Sequence, residues 1–155
     1  MAHDVRDPEM TGWRDDASEE VQDDFDRLAE VTLAAARSFL DLEGQFLPFP
    51  MAIKTDGVLA PIGLEQPKPK TAPDVVEVMD GLVDLFRDRR GSIRAIAFGS
   101  DVLIPDEMMD AIEVRLEHES GLALKLLVPY QIDPLDDTYL YDEPRVMQGE
   151  RIIWG

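Results

Sequence analysis

The sequence predicts an α+β domain, an antiparallel sheet of about five strands with two main helices on one face. Three observations carry this. Residues 18–44 and 71–91 place apolar side chains at helical spacing. Three strand-like runs, 92–104, 110–119 and 121–132, follow one another with no helix between them. Short turns join the strands where parallel pairing would need long crossovers.

Each element has a local reason. Residues 1–17 mix acids with Pro8 and Gly12 and lack periodicity, the pattern of a disordered acidic segment, with Trp13 as its isolated large apolar residue. Residues 18–155 then form one domain. Ser18 is a helix cap followed by Glu19 and Glu20, which favour the positive end of the helix dipole. Val21, Phe25, Leu28, Ala35, Phe39 and Leu40 form its buried stripe, and Gly44 is the stop.

Two apolar runs flank Thr55-Asp56-Gly57, a hairpin turn signal. Pro48 and Pro50 cannot donate to a sheet ladder, so the start of that strand is irregular or lies at an edge. The stretch EQPKPK predicts a loop. The second helix starts near Thr71 and Pro73, buries Val75, Val78, Met79, Leu82 and Phe86, and ends at Gly91 after Arg87, Arg89 and Arg90.

Of the three strands, the first is apolar on both faces at its centre. The second alternates, with Ile112, Val114, Leu116 and His118 opposite Glu113, Arg115 and Glu117. Ser120-Gly121 turns it into the third. An acidic loop leads to Arg145–Gly155, a further strand or a docked tail.

The order of elements over about residues 18–132 is similar to that of profilin-like and roadblock-type domains. Separately, FLPFPMAIKTDG (Phe46–Gly57) and AIEVRLEH (Ala111–His118) resemble segments of a family of small bacterial proteins of uncharacterised function. The matching residues are Phe46, Pro48, Phe49, Asp56, Gly57, Glu117 and His118. That resemblance implies a single-domain cytoplasmic chain, in some members of the size and style of immunity proteins, and it implies no particular activity.

Composition narrows the classes. The 155 residues carry 33 acidic and 15 basic side chains, a net charge of -18, which argues against nucleic acid or an anionic membrane as partner. A basic protein partner is compatible. With no cysteine there is no disulfide, thiol nucleophile or thiolate metal site. No apolar run reaches the roughly 20 residues of a membrane helix, and the expected location is the cytoplasm.

The chemistry-bearing candidates are few. His3 lies in the acidic segment, which leaves His118 as the one imidazole placed on an element. Ser100 and Asp101 are its nearest candidate partners for a nucleophilic site, and no GxSxG elbow is present. The favoured reading of His118 is a satisfied core residue. No metal or other cofactor is expected. The acids Asp133, Asp136, Asp137, Asp142 and Glu143 lack EF-hand spacing, and Lys68 and Lys70 lack a glycine-rich turn. Phe46 and Phe49 are expected to pack beneath the first helix, with the prolines protecting the edge.

Two helices on one face leave the other face open. Glu113, Arg115, Glu117 and Lys125 suit it, joined by either Ile96 and Phe98 or Ala95 and Ala97, depending on register. The resulting expectation is a non-enzymatic protein-binding module of immunity or regulatory type, acting through that face or an edge strand. Its contact residues would be Glu113, Arg115, Glu117, Lys125 and Phe98. The alternatives are a homodimeric structural module and a small enzyme or ligand binder using His118 with Ser100 or Asp101.

Overall fold

A computed structural model describes residues 12–61 and 75–155. A 3-10 turn, Trp13–Asp16, precedes α1 (Glu19–Glu43). Then come β1 (Phe49–Lys54), β2 (Leu59–Pro61), α2 (Val75–Arg89), β3 (Ile93–Ile104), β4 (Met109–His118) and β5 (Ala123–Ile132), followed by the short β6 (Tyr139–Tyr141) and β7 (Arg145–Gln148). The expected loop EQPKPK, and the start of the second helix at Thr71 and Pro73, lie outside the described residues.

The α+β class and the helix, hairpin, helix, three-strand order are as the sequence predicts. The sheet is larger than expected. Among the described residues it has seven antiparallel strands in the order β2-β1-β3-β4-β5-β6, with β7 also paired to β5. Of the last two, β6 lies inside the stretch expected to be an acidic loop, and β7 opens the stretch Arg145–Gly155.

Local signals act where they occur. The Ser18 hydroxyl accepts from the Val21 N–H at 3.3 Å, and Gly44 takes φ 75° with its N–H on the Leu40 carbonyl. Gly57, at φ 88°, closes the β1–β2 turn, and Gly121, at φ 115°, closes the β4–β5 turn. β2 pairs only with Met51–Ile53, so Pro50 has no β2 residue beside it.

Trp13, in the expected disordered segment, is buried, with its ring 5.9 Å from that of Phe25. The second helix also differs from expectation. Phe86 is fully buried, Val78, Met79 and Leu82 are half-buried with the last two packed on the core, and Val75 is exposed.

The two helices lie on opposite faces of the sheet, a correction to the one-face arrangement. Ala95, Ala97, Ile112, Val114, Leu116, Met51 and Ile53 share one face and form the main core with Phe25, Leu28, Ala36 and Leu40 of α1. Ile96, Phe98 and Ala52 point the other way and pack with Phe86 of α2 and with Ile153. β1 and β3 are apolar on both sides, and such strands require cover on both.

Phe46 and Phe49 do pack beneath α1. The Phe39 ring lies 5.1 Å from Phe49, and Phe46 lies 5.6 Å from it. The close fit explains Gly99. A Cβ there would stand 2.6 Å from the Phe49 ring.

Candidate functional site

β4 ends in two adjacent polar residues, Glu117 and His118. Both are buried, 1% and 3% exposed, and strand alternation sends them to opposite faces. Each ties down a different outer element.

His118 faces α1. Its Nε2 lies 3.0 Å from Oδ2 of Asp24, and its Nδ1 accepts the Ser120 N–H at 3.1 Å. Acceptance at Nδ1 places the proton on Nε2, which donates to Asp24. Arg94 on β3 donates to both carboxylate oxygens, Nε to Oδ2 at 3.0 Å and Nη2 to Oδ1 at 2.9 Å. Its Nη1 also meets Glu20 at 3.1 Å.

Burial works to raise the Asp24 pKa. The hydrogen bonds from Arg94 and His118, with the nearby positive charge, outweigh it and hold the carboxyl below its ordinary value. Asp24 is a carboxylate inside the fold, compensated on both oxygens.

The chemistry open to this group is limited. Both His118 nitrogens are engaged and the ring is shielded from solvent. Ser100 and Asp101 do not reach it. His118 is paired with Ala95, and Ser100 lies five positions further along β3, roughly 16 Å away at strand rise. Ser100 and Asp101 are neighbours on one strand and point to opposite faces. Asp101 instead accepts the Tyr130 hydroxyl at 2.6 Å. Burial raises the Asp101 pKa against that hydrogen bond.

Glu117 faces the other way. Its carboxylate accepts the successive N–H groups of Ile152, Ile153 and Trp154 at 2.7–3.1 Å. It therefore does not lie on an open polar face, because the strap 149–155 covers it. Phe98 is buried too, with the Phe86 ring 5.3 Å away. Glu113 is half-buried and pairs with Arg115 at 2.9 Å, and Arg115 stands beside Lys125 across the strands. Of the five expected contact residues, Arg115 is exposed, Glu113 and Lys125 are half-buried, and Phe98 and Glu117 are interior. The register brings Ile96 and Phe98, and not Ala95 and Ala97, to their side.

A surface concavity of acidic character lies on the outer side of the Asp24 joint. It is an open cleft of about 580 Å³ at the start of α1, lined by Glu19, Glu20, Asp23, Asp24, Asp26, Glu30, Arg27 and Arg94. Arg94 and Arg27 are drawn to Asp24, and Arg14 pairs with Asp26 at 2.7 Å. Glu19, Asp23 and Glu30 have no ion pair among the described residues.

Asp24 is the residue that sequence reasoning missed. It sits in an acidic run and reads as solvated. Its position three after Val21 and four before Leu28 was the signal, since that places it on the buried stripe. The acidic loop spends its side chains locally. Asp133 accepts the Leu135 N–H, and Asp136 accepts both the N–H and the hydroxyl of Thr138. Among the described residues no group of three or more His, Cys, Asp or Glu is placed to hold a metal ion, and no helix is long and apolar enough to cross a membrane. The Lys68 and Lys70 pair and His3 lie outside the described residues.

Comparison with protein-family models, curated proteins and solved structures finds no match for this chain. Function is therefore argued from its own geometry.

Proposed function

We propose that the chain is a non-enzymatic binding module for a basic protein segment, engaged through the acidic first half of α1. The observation that supports this is the cleft of six carboxylates against two arginines. Arg94 and Arg27 bind Asp24, Arg94 also meets Glu20, and Arg14 holds Asp26, so an incoming cation meets the uncompensated charge of Glu19, Asp23 and Glu30. The Asp24 joint fixes the helix that carries these acids, so the surface is held in place before any partner arrives. Attraction by a chain of net charge -18 adds long-range steering of a basic partner.

The sheet face is a weaker seat for such a partner, because α2 and the strap occupy it. Arg115 and Lys125 at its margin carry the wrong sign.

The test compares the native chain with E19K/D23K/E30K, each immobilised and exposed to lysate of the native host at low and high salt. A basic protein held by the native chain, released by high salt and absent from the variant supports the reading. Equal capture by both chains overturns it. A reversed triplet placed at Asp133, Asp136 and Asp137 serves as the control for net charge alone.

A further inference from the structure

The strap ties the second face of the sheet together. Glu117 binds three successive N–H groups of the strap, using both carboxylate oxygens. The strap in turn binds α2. Arg87 Nε donates to the Ile152 carbonyl at 2.8 Å, and Arg90 Nη1 reaches the Ile153 carbonyl at 3.4 Å. Ile153 is 1% exposed and completes the small apolar cluster of Ala52, Phe86, Ile93, Ile96 and Phe98.

The two faces differ greatly in how they are held. The α1 face has an extensive core, with Phe25, Leu28, Ala36 and Leu40 all buried from one helix. α2 contributes one fully buried side chain among its described residues, Phe86, with Met79, Leu82 and Val83 half-buried against the same cluster. A helix so lightly buried gains little from its own packing, since local stability follows buried apolar contact. Its attachment is shared between this shallow contact and the strap, and the strap is held by Glu117.

Gly149 fixes where the strap begins. A Cβ there would stand 2.8 Å from the Leu124 backbone, and its N–H donates to the Ala123 carbonyl at 3.0 Å. Glu150 and Arg151, the next two residues, are exposed. They link the anchored β7 to residues 152–154, and Arg151 Nη2 donates to the Trp154 carbonyl at 3.0 Å.

We propose that residues 150–154 are a latch. Glu117 holds the strap, the strap holds α2, and release of that one carboxylate uncovers Ile96, Phe98 and Ala52 as a unit while α1 stays docked. The cover opens below the stability of the whole domain, and the face it exposes contains two of the residues, Phe98 and Glu117, that the sequence marked for partner contact. This device is separate from the acidic α1 surface and does not rest on it.

The experiment is hydrogen–deuterium exchange on the full chain, native and E117Q. The amide replaces one acceptor oxygen with a donor facing N–H groups, a strong perturbation with little change of shape. Exchange in residues 75–89 and 150–154 should rise about tenfold or more, while residues 25–40 stay within about twofold. I153A, which removes the apolar plug and keeps the carboxylate, should give the same pattern. D24N should give the converse, faster exchange in α1 with α2 little changed. Equal acceleration of α1 and α2 in E117Q, or no acceleration of α2, would overturn the latch. An E117Q chain that does not fold passes the decision to I153A, read by the same criteria.

Discussion

Asp24 and His118 lie 94 positions apart and meet at 3.0 Å in the interior. The contact joins α1 to the end of β4, and Arg94 completes it from β3. A buried carboxylate costs several kcal/mol of desolvation unless it is paired and hydrogen-bonded. Here two oxygens receive three close donors from Arg94 and His118 and a longer one from Arg27 at 3.5 Å, so the penalty is offset and the joint ties α1 to the sheet.

Removing one member strands the others. D24A should destabilise the fold by about 3–5 kcal/mol, because Arg94 loses its principal partner and His118 loses the acceptor for its buried N–H. Chemical denaturation of wild type and variant measures it. A loss below about 1 kcal/mol would mean that solvent reaches the pair.

The coupling is measurable separately. A double-mutant cycle of D24N and H118Q should return an interaction energy of about 1–3 kcal/mol. Additive losses would show that the two side chains are neighbours without mutual stabilisation.

Asp24 also sets an acid dependence. Its folded pKa is lowered relative to the unfolded chain, so the folded state favours the ionised form. That stability is fully present above the unfolded value of about 3.9 and is lost as pH falls through the folded pKa. Denaturant midpoints between neutral pH and about pH 2 should show a steep acid limb that is shallower in D24N. An unchanged slope would assign the acid sensitivity to other carboxylates.

Asp101 has the opposite sign. Burial raises its folded pKa, so its ionised form is disfavoured in the fold and the site costs stability at neutral pH. Relief comes as pH falls through the folded pKa. D101N keeps an oxygen to accept the Tyr130 hydroxyl and removes the charge. It should be neutral or stabilising at pH 7 by up to about 1 kcal/mol, with the gain vanishing in acid. A clear loss at pH 7 would show that the carboxylate charge itself is needed.

Gly99 tests the packing beneath α1. G99A should cost about 1–3 kcal/mol, since the new methyl collides with the Phe49 ring. F49L on the same background should recover part of it. Thermal unfolding of the single and double variants decides, and no recovery would place the strain against Thr32, whose Cγ2 lies 3.0 Å from the added Cβ, or in the backbone.

The sequence by itself determined what local chemistry controls. Ser18 and Gly44 bound α1, Gly57 and Gly121 close their turns, and alternation in 110–118 sets the two faces of β4. These signals act over a few residues, so a single chain displays them. It also singled out His118 and predicted it as a satisfied core residue, whereas it placed Glu117 on an open polar face that the strap in fact covers.

Only the tertiary structure decided what those residues meet. Whether Ile96 or Ala95 shares a face with Glu117 depends on the β3–β4 register, since a shift of one residue exchanges the faces. The cover on the second face comes from α2 and from a strap 35–37 positions beyond Glu117. Asp24 is hidden in an acidic run until Arg94 and His118 arrive from other strands. Caps and turns are written in neighbouring residues, whereas the pairing of buried charges requires partners that only the docking of α1 on the sheet brings within about 3 Å.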